Sequence, residues 1–454
     1  MVRSIAAVLI STFCFISPGW ADEPQLGLRQ AIDDAMVNDL WLKGSEFNEK
    51  ALLAESVVAG ELPDPKLSVG LENLATDTLE FDQEPMTQFK VGIAQTFPRG
   101  DTRKLMRKQK QQQSAAYPFL REDHKAALAL KISLLWLDGF LAQNSVALIE
   151  QNRRLFDQLV DITYANYTTT SGSTRQQDVI RAELELTRLN DRLTALWQRR
   201  DAARQALREW LSPELTGRDF PAVLPDTFST TLADLWSENL ATLSLSIDPM
   251  ADKRQALRQL IQRHPRLQSI DQKIRAEDTG VDLVRQQYKP EWGINAGYAY
   301  RDDDPLGRDR ADFMSLGITV DLPLFTANRQ DQRVLAAIHR RAAFQTEHDM
   351  VFREILAAYE KAQVELQRLE ERERLYQDYL LPQMHDQADA TLAAYTSDGG
   401  DFAEVMRAHI AELNTKIMAL ELTVKRQKML AKINYFVAGA RINDVLVDKT
   451  MEEK

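Results

Sequence analysis

The chain has 454 residues and a formal net charge of −11, with 67 acidic side chains against 56 basic ones. That balance argues against nucleic acid as a partner, since phosphates need a basic surface, and the length is enough for more than one ordinary domain. The single cysteine, Cys14, excludes a disulfide framework and a cysteine-built metal centre.

The first residues read as a secretory leader. Arg3 gives a basic start, and Ile5 to Ile16 form an apolar run too short to cross a bilayer. Gly19-Trp20-Ala21 puts small residues at the two positions a signal peptidase reads. Residues 1–21 are therefore expected to be removed, and the mature chain to begin at Asp22 without Cys14. A lipid anchor on that cysteine is not expected, because the residue before it is the bulky Phe13. Downstream, no run of about 18 apolar residues is expected to form a membrane helix. A membrane crossing would then have to use strands closed into a barrel.

From residue 22 the chain reads as a duplication. A first copy spans 22–211, a linker richer in Pro, Ser and Thr with a short helix spans 212–253, a second copy spans 254–436, and a tail spans 437–454. Pro65 and the residues Lys66 to Gly70 answer Pro290 and the residues Glu291 to Asn295, 225 positions on. Val91-Gly92-Ile93 answers Leu316-Gly317-Ile318, and Pro98 answers Pro323, at the same offset. Between each proline pair lie two runs of period two. Leu67, Val69 and Leu71 alternate with small or polar residues, as do Phe89, Val91, Ile93 and Phe97 across the one interruption at Gln95. In the second copy Trp292, Ile294, Ala296, Tyr298 and Tyr300 do the same, followed by Met314, Leu316, Ile318, Val320 and Leu322. Such runs predict strands with one greasy and one polar face. Two readings stay open: a soluble hairpin packed on a core, or a membrane barrel with the greasy face toward lipid.

The remaining pattern is long helix. From Thr102 to Tyr164 only Pro118 and Gly139 interrupt, and at ~1.5 Å per residue the stretch would reach on the order of 95 Å. Leu128, Ile132, Leu135, Gly139, Ala142, Val146 and Ile149 form one stripe. Leu130, Leu134, Leu137 and Leu141 begin a second, continued by Leu148, Leu155, Leu159 and Ile162. One stripe makes a coiled coil; two adjacent stripes predict a stave that touches a neighbour on each side. Descending helices with heptad spacing follow each turn: Val179, Ala182, Leu186, Leu189, Leu193 and Leu196, then Met406, Ile410, Leu413, Ile417, Leu420 and Val424.

Few residues carry chemistry. There is no glycine-rich phosphate loop, no paired histidine at zinc spacing and no nucleophile elbow, so neither an enzyme nor a cofactor is expected. Met384-His385 and Met406 with His409 are the close Met and His pairs of the helices, and they do not make a ligand cluster of metal-site form. Asp398, Asp401 and Glu404 gather at the second helical turn. Asp401 to Glu404 has capping-box spacing, as does Ser173 to Gln176 in the first copy. The same carboxylates could ring a narrow opening, and a capping carboxylate still contributes its charge.

The order helix, proline, two strands, proline, long helix, turn and helix, repeated behind a leader, resembles the TolC-like outer-membrane efflux family over nearly the whole mature chain. The local matches are Phe97-Pro98-Arg99-Gly100 and the two helical turns. One turn carries Tyr167, Gly172, Asp178, Val179 and Ala182; the other carries Tyr395, Gly399, Glu404, Val405 and Ala408. Extra residues from Thr168 to Ser173, and the pair Gly399-Gly400, depart from the family's usual spacing. The resemblance implies a mainly α protein with a membrane β-barrel. Each chain of a homotrimer would give four strands to a shared 12-stranded barrel in outer-membrane lipid, and long hairpins to a periplasmic tunnel. Twelve strands at ~4.8 Å spacing and ~40° tilt would make a barrel about 24 Å across. It implies an exit duct joined through a periplasmic adaptor to an inner-membrane pump of the resistance-nodulation-division type. The Phe-Pro-Arg-Gly turn suggests heavy-metal cations as cargo. On this reading Pro65, Pro98, Pro290 and Pro323 mark the barrel–tunnel junction. Asp398, Asp401 and Glu404 would form a periplasmic gate, and Tyr167, Gly172, Asp178, Val179, Tyr395, Gly399 and Val405 the turns that meet the adaptor. The alternatives are a periplasmic coiled-coil adaptor and a structural trimer without channel activity.

Overall fold

The computed structural model describes residues 25–168, 176–224, 249–397 and 402–439. It contains helices α1 (Leu28–Asn38), α2 (Leu40–Gly60), α3 (Thr102–Ser114), α4 (Tyr117–Thr168), α5 (Gln176–Leu207) and α6 (Pro213–Thr216). These are followed by α7 (Pro249–Gln262), α8 (Pro265–Arg285), α9 (Gln330–Leu375), α10 (Leu381–Thr396) and α11 (Phe402–Phe436). Four strands complete the fold: β1 (Lys66–Glu72), β2 (Gln88–Phe97), β3 (Glu291–Tyr300) and β4 (Phe313–Asp321). Contacts divide the chain into two units, each drawing on both repeats. One joins the segment ending at Asn38 to Ile132–Thr227 and Tyr376–Val424; the other joins Asp39–Lys131, Phe228–Leu375 and the segment from Lys425 onward.

The duplication is literal in the unit that holds the strands. α2 and α8 are both 21 residues long and begin 225 positions apart. β1 and β3 start at the same offset, and so do β2 and β4. Even the caps correspond, with Asp39 before α2 and His264 before α8. A helix leaves its first N–H groups unpaired, and a side-chain acceptor satisfies one of them. Asp39 Oδ1 accepts from Trp41 N at 2.7 Å, while Asp39 Oδ2 lies 2.5 Å from Nε2 of His124, which stacks on Trp41. At the second site an imidazole does the same task. His264 Nδ1 accepts from Arg266 N at 3.2 Å and its Nε2 donates to the Tyr435 carbonyl at 3.1 Å. The Tyr435 hydroxyl donates to Asp123 at 3.1 Å. Around this point Leu257, Ile261, Leu267, Ile270, Val351, Ile355, Tyr359 and Ile433 form the unit's helical core.

That cap makes stability depend on pH. Burial, opposed by the Asp123 charge, holds the His264 imidazole below its usual range. The unfolded ring takes its proton near ~6.5, so below that pH the unfolded chain binds more protons than the folded one. The contribution of His264 is complete above that pH and lost as pH falls toward the folded pKa. The melting temperature is therefore expected to drop between pH 7.5 and pH 5.5. A His264→Asn variant, which keeps a good cap without a titrating group, should lose less over the same interval. Equal losses in thermal melts would remove the histidine from the account.

The other unit is helical. Val146, Ile149, Phe156 and Leu159 of α4 pack with Ala182, Leu193 and Leu196 of α5 and with Phe402, Val405, Met406, Leu413 and Ile417 of α11. Both heptad sets read from the sequence supply this core. Nearer residue 132, Trp136 stacks on Phe140 and meets Phe220, which follows the short α6, edge-on. The Trp136 indole donates to the Leu26 carbonyl at 2.8 Å. Gln143 holds the Phe220 backbone at both ends, donating to its carbonyl at 2.6 Å and accepting from its N–H at 3.2 Å. The ring of Phe220 fills the space beside Gly139, where a Cβ would come within 2.1 Å of it.

Three features differ from the sequence expectation. The stretch from Thr102 is two helices, because the chain turns at Ala115–Ala116 and Pro118 then sits in the first turn of α4, where a proline N–H is not missed. A five-residue π-helical turn, Tyr376–Leu380, joins α9 to α10 just before Pro382. And one stretch, Thr102–Ala165, does contain a window apolar enough to cross a membrane, with 56% of that window buried inside the protein. Its apolar residues include Ile132, Trp136, Leu137 and Phe140, all core side chains.

Candidate membrane sheet and helical turns

The four strands form one antiparallel sheet in the order β1-β2-β3-β4. Its register sorts the residues by face, because successive side chains point to opposite sides. Leu67 pairs with Ile93, Ile93 with Ala296 and Ala296 with Leu316; Val69, Val91, Tyr298 and Met314 make the next row on the same side. This apolar face is uncovered. Leu316 and Ile318 are 72% and 71% exposed, and Phe89, Trp292, Tyr298 and Tyr300 are exposed as well. An apolar surface of this extent has to be covered by something other than water. The opposite face carries Lys90, Asn295, Thr319 and a central row of Ser68, Gly92, Gly297 and Ser315. In that row a Cβ on Gly92 would stand 2.8 Å from the Ser68 hydroxyl, and one on Gly297 would stand 2.9 Å from that of Ser315. β1 and β4 each have a neighbour on one side only.

The junction prolines lie where the strands stop. Pro65 and Pro290 precede β1 and β3 directly, Pro98 follows β2 directly, and Pro323 follows β4 after Leu322. A proline cannot donate to the ladder, so these positions end the sheet. Arg99 does more than its neighbour Pro98. Its Nη1 donates to the carbonyls of Gln287 and Lys289 at 2.9 and 3.2 Å, and its guanidinium pairs with Asp321 and approaches Glu291. A planar fork serves several acceptors at once, so one side chain ties the end of β2 to the start of β3 and the end of β4. Gly100 then turns at φ +46, close to Gln286 and Lys289, a conformation that favours glycine. Sequence reading found the Phe-Pro-Arg-Gly turn but not these partners. Extending the duplication through Gln287, Lys289, Glu291 and Asp321 is the signal that would have found them.

At the helical turns the described residues separate by burial. Tyr167 is exposed, Val179 and Val405 are buried, and Tyr395 packs edge-on against Phe402 at 6.0 Å. Val405 is 0% exposed and belongs to the core. Glu404 is exposed on the first turn of α11. Asp178 lies in α5. Gly172, Asp398, Gly399 and Asp401 lie outside the described residues. Deeper in the same hairpin, α10 and α11 bring the two histidines noted in the sequence to one carboxylate. Glu412 accepts from Lys416 at 2.8 Å, lies 3.0 Å from His385 Nδ1 and 3.5 Å from His409 Nδ1. Burial raises its pKa, but the bonds from Lys416 and His385 outweigh that and hold the carboxyl below its usual range. The arrangement is a polar layer in an apolar seam, a device that fixes which residues face each other. Among the described residues no group of three or more His, Cys, Asp or Glu side chains is arranged to hold a metal ion.

A family model described as outer membrane efflux protein matches residues 256–434, within the second repeat. No curated protein sequence matches significantly. Solved structures match over almost the whole chain. CusC, described in terms of transmembrane channel formation, aligns with a TM-score of 0.72 at 15% identity over 91% of this chain and 92% of that one. The outer membrane protein VceC of Vibrio cholerae aligns at 0.70 and 11% identity over 90% and 96%. The CmeC outer membrane channel of Campylobacter jejuni aligns at 0.71 and 11% identity over 97% and 94%. At these identities the likeness is one of fold.

Proposed function

We propose that this chain, whose residues 256–434 match the outer membrane efflux protein family, is the exit duct of a tripartite efflux system. It is an outer-membrane channel with its helical tunnel in the periplasm. The observation that carries the reading is the four-stranded sheet with two free edges and an uncovered apolar face. Lipid offers no partner for an open strand edge, so the sheet must close. Four strands cannot close alone; three copies supply twelve, enough for an aqueous bore of about 24 Å across the strands. The duct joins a periplasmic adaptor at its helical turns and, through it, an inner-membrane pump of the resistance-nodulation-division type. Among the turn residues whose side chains are described, Tyr167 is exposed and can touch the adaptor, while buried Val179 and Val405 hold the turns in shape. The pump selects the cargo. The Phe97 to Gly100 turn, the motive for heavy-metal cations as cargo, also pins the junction through Arg99.

Fractionation tests the reading directly: the protein should require detergent for release and conduct ions in planar bilayers. Release as a soluble periplasmic protein would support the adaptor alternative instead, and a membrane trimer without conductance would support the structural one.

The cluster Asp398, Asp401 and Glu404 serves on this reading as a periplasmic gate. Threefold repetition sets up to nine carboxylates around one axis, a ring of the kind that favours cations. Asp398→Asn combined with Glu404→Gln is expected to cut cation selectivity while trimer stability changes little. Asp401 is left in place because loss of a cap alone costs ~1 kcal/mol. A reversal potential in a salt gradient that the double substitution does not move would show that these residues only start a helix.

A further inference from the structure

The two repeats share one offset, and this specifies a contact that a single chain does not contain. β2 and β3 belong to different repeats, so their pairing is the seam between one hairpin and the next. Its register is fixed by Phe97 opposite Trp292, Ala94 opposite Asn295 and Phe89 opposite Tyr300. If hairpins follow one another around a closed barrel by a repeated operation, β4 meets β1 of the next copy as β2 meets β3. Moving each partner by 225 positions then gives the seam between chains. We propose that β4 of one copy pairs with β1 of the next in the register Leu322 opposite Leu67, Val320 opposite Val69, Ile318 opposite Leu71, and Thr319 opposite Gly70. This rests on the trimeric reading above and adds the residues that make it.

Two further observations agree with that register. It sets Leu67, Val69 and Leu71, the greasy side of β1, beside Leu322, Val320 and Ile318, the greasy side of β4; a slip by one residue would oppose the two faces. The junction beneath the seam also changes character in a consistent way. Inside the chain Arg99 reaches Gln287, Lys289, Glu291 and Asp321. The equivalent positions between chains are Leu324 on one copy and Leu62, Asp64, Lys66 and Thr96 on the next. The arginine is replaced by leucine, and Gln287, which offered its backbone carbonyl, by Leu62, while Asp64, Lys66 and Thr96 stay polar. Leu324 and the adjoining Phe325 are 74% and 90% exposed, and Leu62 is exposed too. In the proposed seam the arginine clamp is thus replaced by a leucine on each side, Leu324 and Leu62, beside the polar Asp64, Lys66 and Thr96.

Face matching leaves a slip by two residues open, and cysteine pairs resolve it. In a Cys14→Ser background, Thr319→Cys with Gly70→Cys is expected to give disulfide-linked dimers and trimers when the purified detergent-solubilised protein is mildly oxidised. Thr319→Cys with Ser68→Cys, or with Glu72→Cys, moves one partner by two residues, beyond the reach of a disulfide, and should yield about tenfold less. Ala94→Cys with Asn295→Cys is the equivalent pair inside the chain, where the structure already shows the contact. It calibrates how readily this geometry oxidises. Cross-linking at a shifted pair as strong as at Thr319 and Gly70, or none between chains while the internal control forms, would overturn the register. A monomeric mass in detergent would overturn the trimeric reading itself, and the register with it.

Discussion

Ile318→Arg is expected to remove most of the assembled protein from the outer membrane, while Thr319→Arg beside it leaves assembly intact. The two positions are consecutive on β4, both exposed, and point to opposite faces of the sheet. On the greasy face a charged arginine near the bilayer middle costs about 2–4 kcal/mol, and on the water face it costs little. The cost recurs in every copy of the assembly. Position rather than chemistry is varied, so the comparison isolates which face meets lipid. Yield of detergent-extracted, assembled protein is the measurement. Equal damage from both substitutions would mean that the faces have been assigned wrongly.

Gly139→Ala is expected to destabilise the protein although alanine is the better helix former. Alanine in place of glycine inside a helix favours folding by roughly 0.8–1 kcal/mol. Against that, the added methyl would stand 2.1–2.8 Å from three ring atoms of Phe220. That ring is 1% exposed, and its backbone is held at both ends by Gln143, so it cannot simply move aside. Overpacking of this kind costs about 1–3 kcal/mol and should win. Combining Gly139→Ala with Phe220→Leu should recover part of the loss, a coupling of the size neighbouring residues show. A single variant that melts higher than the parent would show that the ring has room to retreat.

The strands were legible because their period of two and their bracketing prolines appear twice at one offset. The same offset placed α2 against α8, yet Asp39 and His264 were not matched, since an aspartate and an imidazole look unrelated until both are seen accepting a helix N–H. The heptad stripes of α4, α5 and α11 were legible as core. The break after Ser114 was foreshadowed only by Pro118, and a lone proline at a helix start is a common and quiet signal. The meeting of His385, His409 and Glu412 was not legible, because residues 27 positions apart meet only once the hairpin's register is known. Arg99 stood in a recognised turn, but its four partners lie almost two hundred residues and more away along the chain.

The middle of the sheet's polar face is made of Ser68, Gly92, Gly297 and Ser315. No side chain in that row is longer than a hydroxymethyl group. With short side chains in the row itself, and Lys90 reaching over Gly297 from the neighbouring row, the proposed barrel would keep a wide bore at that height. Ladder hydrogen bonds hold such a wall stiff, and it offers passing solutes few chemical handles. On the duct reading proposed above, a wall of short side chains would discriminate little among solutes, which suits a part whose pump would already have chosen what to send.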